Sequence, residues 1–208
     1  MMARNQPEKD FALILLLWIL ILENKSPFGF FFQKMILLYI HYYIVFCCDF
    51  MKNALKKGLG FGLTSGVITT LGLMVGLNAS TQSSLVVLGG IITIAVADAF
   101  SDAFGVHISE EFDKKNSDEH VWASTFSTFF FKFIFAITFA IPVLFLELQT
   151  ALVVSIIWGA FLLSAISFKM AREQKESVLH VVAEHLVIFT VVLFATNFIG
   201  NWISVTFI

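Results

Sequence analysis

Five long apolar segments, separated by short polar connectors, dominate the pattern of the chain. They cover residues 58–77, 85–108, 125–146, 151–168 and 178–203. Each is close to the roughly 20 residues that a helix needs to cross a bilayer. The apolar runs are continuous, without the alternation of a membrane barrel, and backbone groups in lipid must be satisfied within the segment. The pattern therefore predicts an all-α polytopic membrane protein, a five-helix transmembrane bundle.

The N-terminal residues 1–50 fit this pattern less well. The run 11–22 is too short to span alone. The run 28–48 is long enough, but three polar residues interrupt it: Gln33, Lys34 and His41. Two interpretations stay open, an extra hydrophobic hairpin or anchor, and a non-native extension upstream of a start at Met51. We therefore divide the chain into an N-terminal hydrophobic extension, 1–50, and a five-span transporter domain, 51–208.

Composition agrees with the membrane class and excludes several others. Hydrophobic residues make up 58% of the 208 and charged residues 13%, against about 25% charged in an ordinary soluble domain. The adjacent Cys47 and Cys48 fit neither a disulfide framework nor a zinc spacing. No Walker loop or nucleophile elbow occurs. We expect no enzyme, no resident cofactor and no nucleic-acid partner.

The basic residues predict the orientation. They precede the first span and occupy alternate connectors, while the remaining connectors and the C-terminal tail have none. They are Lys52, Lys56, Lys57, Lys114, Lys115, Lys169, Arg172 and Lys175. Because Lys and Arg are enriched in cytoplasmic loops, we expect residues 51–57 in the cytoplasm and the C-terminus on the opposite side.

Small residues form a stripe along the first span. At about 100° per residue, one third of the circumference carries Gly58, Gly62, Ser65, Gly66, Thr69, Gly72 and Gly76. Gly62–Gly66 and Gly72–Gly76 have the GxxxG spacing that lets two helices approach closely. The stripe has two interpretations, a homodimer that pairs through span one in the bilayer, and ordinary packing within one chain.

The second span carries two acids, Asp98 and Asp102, four residues apart on a face shared with Ser101. A carboxylate in hydrocarbon costs about 3 kcal/mol, and such residues usually mark ion or proton paths. Counting from the ends of the span puts Asp98 near the midplane and Asp102 one turn toward the cytoplasm. Together they could ligate one hard cation, along a path lined by Ser65, Thr69 and Ser101.

Counting by depth adds further polar residues. Lys132 lies level with Asp102 and with Glu184, so either acid is a possible ion-pair partner. Nearer the cytoplasmic edge lie His107 and Glu110 on span two and His180 on span five, one turn from Glu184. Imidazole and carboxylate together suit divalent transition metals. If the two spans are neighbours, these four residues would converge into a metal-attracting mouth.

Two segments resemble the vacuolar iron transporter family. The Gly-rich run 61–77 is similar to the first helix of that family, and 98–110 is similar to its second helix, with a small-residue core and an acidic end. Pro142 in span three agrees, as do the five spans. The resemblance implies a homodimer that exports Fe²⁺ or Mn²⁺ from the cytoplasm, against protons, along a path lined by the first helices.

The chain also departs from that family. The Asp of the family's first helix falls on Ser65, and the Met of its second helix falls on Asp102. A short connector, 111–123, replaces the Glu-rich cytoplasmic metal-binding domain. The leading hypothesis is therefore a divalent-metal transporter with Asp98 and Asp102 as core ligands. The alternatives are a membrane protein with structural ion pairs and no transport, and a proton-coupled transporter of another substrate.

Overall fold

The computed structural model describes residues 53–113 and 116–207, which belong to one compact unit. The helices are α1 (Asn53–Thr81), α2 (Ser84–Phe112), α3 (Asp118–Thr138), α4 (Ala140–Phe145), α5 (Leu148–Gln174) and α6 (Val178–Phe207). These ranges contain no strand. Because α3 and α4 together form one span, five spans are long and apolar enough to cross a membrane. The predicted all-α polytopic bundle is confirmed, and both interpretations of residues 1–50 fall outside the described residues.

Short connectors join the spans and make consecutive spans antiparallel, and local caps are present at several helix ends. The hydroxyl of Ser83 accepts from the N–H of Val86 at the start of α2. Ser117 caps α3 in the same way, followed by Asp118 and Glu119 in the first turn, where carboxylates complement the helix dipole. At the end of α5, Lys175 takes the left-handed conformation, with φ of 59°.

The central helix of the bundle is α1. It packs against α2, α3, α5 and α6. Its fully buried stripe consists of Leu63, Val67, Leu71 and Met74. By contrast, only 22% of the apolar window of α2 and 11% of that of α6 is buried inside the chain. Both outer helices therefore present broad apolar faces, which suits contact with lipid chains or with another membrane-embedded surface.

The third span is interrupted at Phe139, between α3 and α4. Pro142 lies three residues further on, so its ring meets the carbonyl of Thr138 and it has no N–H to donate to that oxygen. The helix resumes at Ala140, two residues before the proline, and at its C-terminal end the Pro142 carbonyl accepts from the N–H of Leu146 at 2.9 Å. The apolar pattern predicted one continuous segment here, and the structure divides it at Phe139, three residues before the proline.

The glycines of α1 pack against helices of the same chain. A Cβ at Gly62 would lie 2.9 Å from the backbone of Lys132 in α3. One at Gly72 or Gly76 would meet Val192 or Thr196 of α6. Intrachain packing, one of the two interpretations of the stripe, therefore accounts for both GxxxG pairs. The homodimer through span one stays a prediction.

Candidate functional site

Two helices present polar pairs to each other in the bundle. On α2, Asp98 and Asp102 lie one turn apart, with side chains 26% and 21% exposed. On α1, Ser65 and Thr69 are likewise one turn apart. Thr69 Oγ1 donates to Asp98 Oδ2 at 2.8 Å, and Ser65 Oγ donates to Asp102 Oδ2 at 2.7 Å. Because the residues of each pair are four apart, the two antiparallel helices can form two hydrogen bonds side by side, one in each turn.

Lys132 of α3 closes this arrangement. Its side chain is 2% exposed, and its Nζ lies 2.6 Å from Asp98 Oδ2 and also contacts Asp102 Oδ2. The same ammonium donates to Ser65 Oγ at 2.8 Å. Two of the three ammonium protons are thus donated to Ser65 and Asp102, and the contact with Asp98 is an ion pair. We call Ser65, Thr69, Asp98, Asp102 and Lys132 the lysine–carboxylate cluster.

The close approach of α1 and α3 positions the lysine. A Cβ at Gly66 would lie 3.1 Å from the Lys132 carbonyl oxygen and 3.3 Å from its Cγ. A Cβ at Gly62 would be 2.9 Å from both the Lys132 nitrogen and the Thr128 oxygen. Because both positions are glycine, the backbones meet directly and the lysine stem lies along α1. The first GxxxG pair is thus part of the architecture of the cluster.

The charges in the cluster do not cancel. Two carboxylates and one ammonium sum to −1 when all three are ionised. Lys132 and the two hydroxyls all contact the Oδ2 atoms, and within the described ranges neither Oδ1 accepts a hydrogen bond. Burying charge in a low-dielectric interior is costly unless it is paired and hydrogen-bonded. With all three groups ionised, the cluster would therefore hold a net charge of −1 and two Oδ1 atoms without a hydrogen bond from the described residues, on side chains that are partly exposed.

Counting residues from the span ends left two acids, Asp102 and Glu184, as possible partners of Lys132, and the structure distinguishes them. The lysine contacts Asp102, which the sequence placed at the same level, and not Glu184, which is exposed on α6. It also contacts Asp98, one turn deeper, which counting by level did not predict. The aliphatic chain of a lysine is long enough to bridge one helical turn of about 5.4 Å. A lysine can therefore contact acids that lie one turn above or below its own level in the bundle.

The predicted mouth residues of α2 have separate partners. His107 Nδ1 lies 3.0 Å from Thr125 Oγ1, and the imidazole meets Trp122 edge-on. Glu110 is buried and accepts from Lys57 Nζ at 3.0 Å and from an amide N–H of Asn116 at 2.9 Å. Glu110 therefore holds the connector after α2 to the start of α1, which explains its burial without a metal.

The convergence expected of the mouth is not found. His180 and Glu184 are exposed on α6, which packs mainly on α1 and α5 and so stands apart from the end of α2. Within the described ranges, no three His, Cys, Asp or Glu side chains form a group able to hold a metal ion. Ser101, expected to line the path, is exposed on the outer side of α2. Periodicity grouped Asp98 and Asp102 on one face of α2, but it predicted neither the exposure of Ser101 nor the neighbouring helix.

Sequence reasoning missed two histidine contacts. His120 Nε2 lies 3.2 Å from Glu110 Oε2 without hydrogen-bond alignment, so this contact is an ion pair only when the imidazole is protonated. His185 Nδ1 lies 2.7 Å from Ser167 Oγ and joins α6 to the buried face of α5. Neither pair has a recognisable spacing in the sequence, since the partners lie on different helices.

Comparison with protein-family models, with curated proteins and with solved structures finds no match to this chain. The resemblance to vacuolar iron transporters therefore stays a hypothesis carried by residues 61–77 and 98–110. The fold itself defines the class: an integral, multi-pass, all-helical membrane protein with a charged cluster inside the bundle.

Proposed function

We propose that the protein is a cation transporter in which Asp98 and Asp102 bind the transported ion and Lys132 is a tethered counter-ion. The observation that carries this proposal is the contact of one buried ammonium with both carboxylates. Ionisable residues within membrane spans usually belong to ion or proton paths. Here the lysine occupies the position between the two acids that a bound cation would take.

Charge balance links transport to protons. The cluster has a charge of −1 with Lys132 protonated. Entry of a divalent cation would change it to +1, and loss of the lysine proton would bring it to zero. Because uncompensated charge is expensive in the interior, cation binding favours release of that proton. The proposed reaction is therefore exchange of a cation for at least one proton.

The donor set bears on the identity of the cation. The two acids and the hydroxyls of Ser65 and Thr69 offer oxygen only, and oxygen donors suit Mg²⁺, Ca²⁺ and Mn²⁺ better than Zn²⁺. The family resemblance implies Fe²⁺ or Mn²⁺, and Mn²⁺ satisfies both arguments. On the orientation predicted by the basic connectors, a cation that enters from the cytoplasm would meet Asp102 before Asp98.

The test is uptake into proteoliposomes with a metal-sensitive dye inside, comparing Mn²⁺, Fe²⁺, Zn²⁺ and Ca²⁺ with and without a pH gradient. We expect Mn²⁺ flux that a proton gradient accelerates and that Asp98→Asn and Asp102→Asn abolish. Glu119→Gln is the matched control, because this acid is exposed at the start of α3 and has no part in the cluster. Undiminished flux in the Asp98→Asn/Asp102→Asn double variant would refute the ion-binding assignment.

A second candidate is a structural ion pair in a protein that does not transport cations. It is favoured by the contact of the lysine with both acids and by the burial of that side chain. In this case the unmodified protein shows no flux of any of the four cations. The triple variant Asp98→Asn/Asp102→Asn/Lys132→Met would then change stability alone.

A further inference from the structure

A lateral cavity opens between α2 and α3, away from the lysine–carboxylate cluster. Its volume is about 410 Å³. Aromatic rings form most of its wall: Phe100, Phe104, Trp122, Phe126, Phe129 and Phe130. Ala103 lies at its base, and His107 with Thr125 supplies the polar edge. An apolar cavity that opens sideways from a membrane-spanning bundle faces hydrocarbon chains, not water.

The hydrogen bonds assign the tautomer of the neutral His107 ring. Thr125 Oγ1 donates its only proton to the Val121 carbonyl at 2.8 Å. The 3.0 Å contact between His107 Nδ1 and that hydroxyl is therefore donation from the imidazole. The lone pair of the neutral ring lies on Nε2. The polar edge of the cavity thus presents a hydrogen-bond acceptor.

The depth of His107 matches a lipid headgroup. Helix α2 has 29 residues, about 43 Å at 1.5 Å per residue. A centred helix of that length exceeds the ~30 Å hydrocarbon core by about 7 Å at each end. His107 lies five residues before Phe112, or about 7.5 Å from the helix end. Its imidazole is thus at the boundary between chains and headgroups, where Trp122 is also typical.

The nearby charge favours one headgroup. Residues 110–119 contain five acids and two lysines, and with Lys57, which pairs with Glu110, the net charge is −2 (3 − 5). This segment repels an anionic headgroup and attracts an ammonium. A primary ammonium also has the N–H donors that Nε2 accepts, and it can lie against the Trp122 ring. A quaternary ammonium lacks these donors.

The geometry points to a lipid-binding site at this cavity, with an acyl chain between α2 and α3 and the primary ammonium of an ethanolamine headgroup bonded to His107 Nε2. The lipid is a zwitterionic phospholipid of the surrounding bilayer. Its chain fills the aromatic cavity, and its headgroup joins the ends of the two helices. This site is independent of the proposed cation transport.

The experiment uses Trp122 as the reporter. A chain with Trp18, Trp158 and Trp202 replaced by Phe is reconstituted in mixtures of phosphatidylethanolamine and phosphatidylcholine, one of which carries brominated chains. The extent to which the brominated chains quench Trp122 fluorescence gives the binding constant of one lipid relative to the other at this site. We expect a preference for ethanolamine of about three- to tenfold, as one net hydrogen bond provides. A second chain that retains only Trp202, exposed on α6, should show a ratio near one.

Variants test the two parts of the site separately. His107→Phe should bring the ratio at Trp122 near one, whereas His107→Gln should retain part of it because the amide oxygen also accepts. Ala103→Leu should reduce quenching by both lipids, since it fills the base of the cavity. Equal constants for the two lipids at Trp122 would overturn the assignment, as would a stronger preference for phosphatidylglycerol when this lipid replaces phosphatidylcholine in the mixture. Native mass spectrometry of the unmodified chain tests the same preference without substitutions, and we expect ethanolamine lipid to be retained over choline lipid.

Discussion

At the residue scale, the defining feature is one lysine shared by two carboxylates. Counting residues from the polar ends of each span placed Lys132 level with Asp102, because helical rise is regular. The same counting placed Glu184 at that level, and only the packing of α6 excludes it. The common level of Lys132 and Asp102 could thus be predicted from the sequence, but not the direction in which a charge points relative to other helices.

Removal of the lysine charge should destabilise the bundle strongly. Lys132→Met leaves Asp98 and Asp102 without their counter-ion, and breaking a buried pair typically costs about 3–5 kcal/mol. The triple variant Lys132→Met/Asp98→Asn/Asp102→Asn should recover most of that loss, because no uncompensated charge remains. The free energies of unfolding of the single and the triple variant are measured in mixed micelles with increasing denaturant. A single variant as stable as the unmodified chain would show that the ion pairs contribute little.

At the element scale, the glycines of α1 determine how close α3 comes. Periodicity identified the small-residue stripe, and GxxxG spacing indicated a close helix contact. Neither signal named the partner helix, so a contact between subunits and a contact within the chain were equally compatible with the sequence. The break in span three at Phe139 was similarly implicit in Pro142, whereas the neighbour of each span depends on the whole packing arrangement.

Substitution of these glycines should separate packing from helix propensity. Gly62→Ala places a methyl group 2.9 Å from the backbone of α3, and overpacking of this kind costs about 1–3 kcal/mol. Gly60→Ala is the matched control, since a Cβ there meets nothing within 4 Å, and it should be neutral or slightly stabilising. The two variants are compared by thermal unfolding in the same detergent. Equal midpoints would contradict the close α1–α3 contact.

At the scale of the whole molecule, α1 is surrounded and α2 and α6 are open. The apolar runs and basic connectors predicted five spans, and composition predicted the membrane class. The predicted mouth was conditional on α2 and α6 being neighbours, and the structure does not bring them together. Instead α1 lies centrally, and α6 packs on α1 and α5. Order along the chain constrains consecutive helices through their short connectors, but it leaves non-consecutive neighbours open.

The proposed proton exchange can be tested by changing what Lys132 is able to release. Lys132→Arg keeps a permanent positive charge, because guanidinium does not lose its proton in proteins. Since a divalent cation would then leave a charge of +1 in the cluster, we expect Mn²⁺ flux to fall at least tenfold. Stability should be closer to that of the unmodified chain than to that of Lys132→Met.

Lys132→Gln, which is neutral, should admit Mn²⁺ without releasing a proton. Simultaneous recording of a metal dye and a pH dye in proteoliposomes distinguishes these cases. Full Mn²⁺ flux with normal proton release in Lys132→Arg would exclude the lysine as the coupling group and leave the carboxylates as the remaining carriers of the exchanged proton.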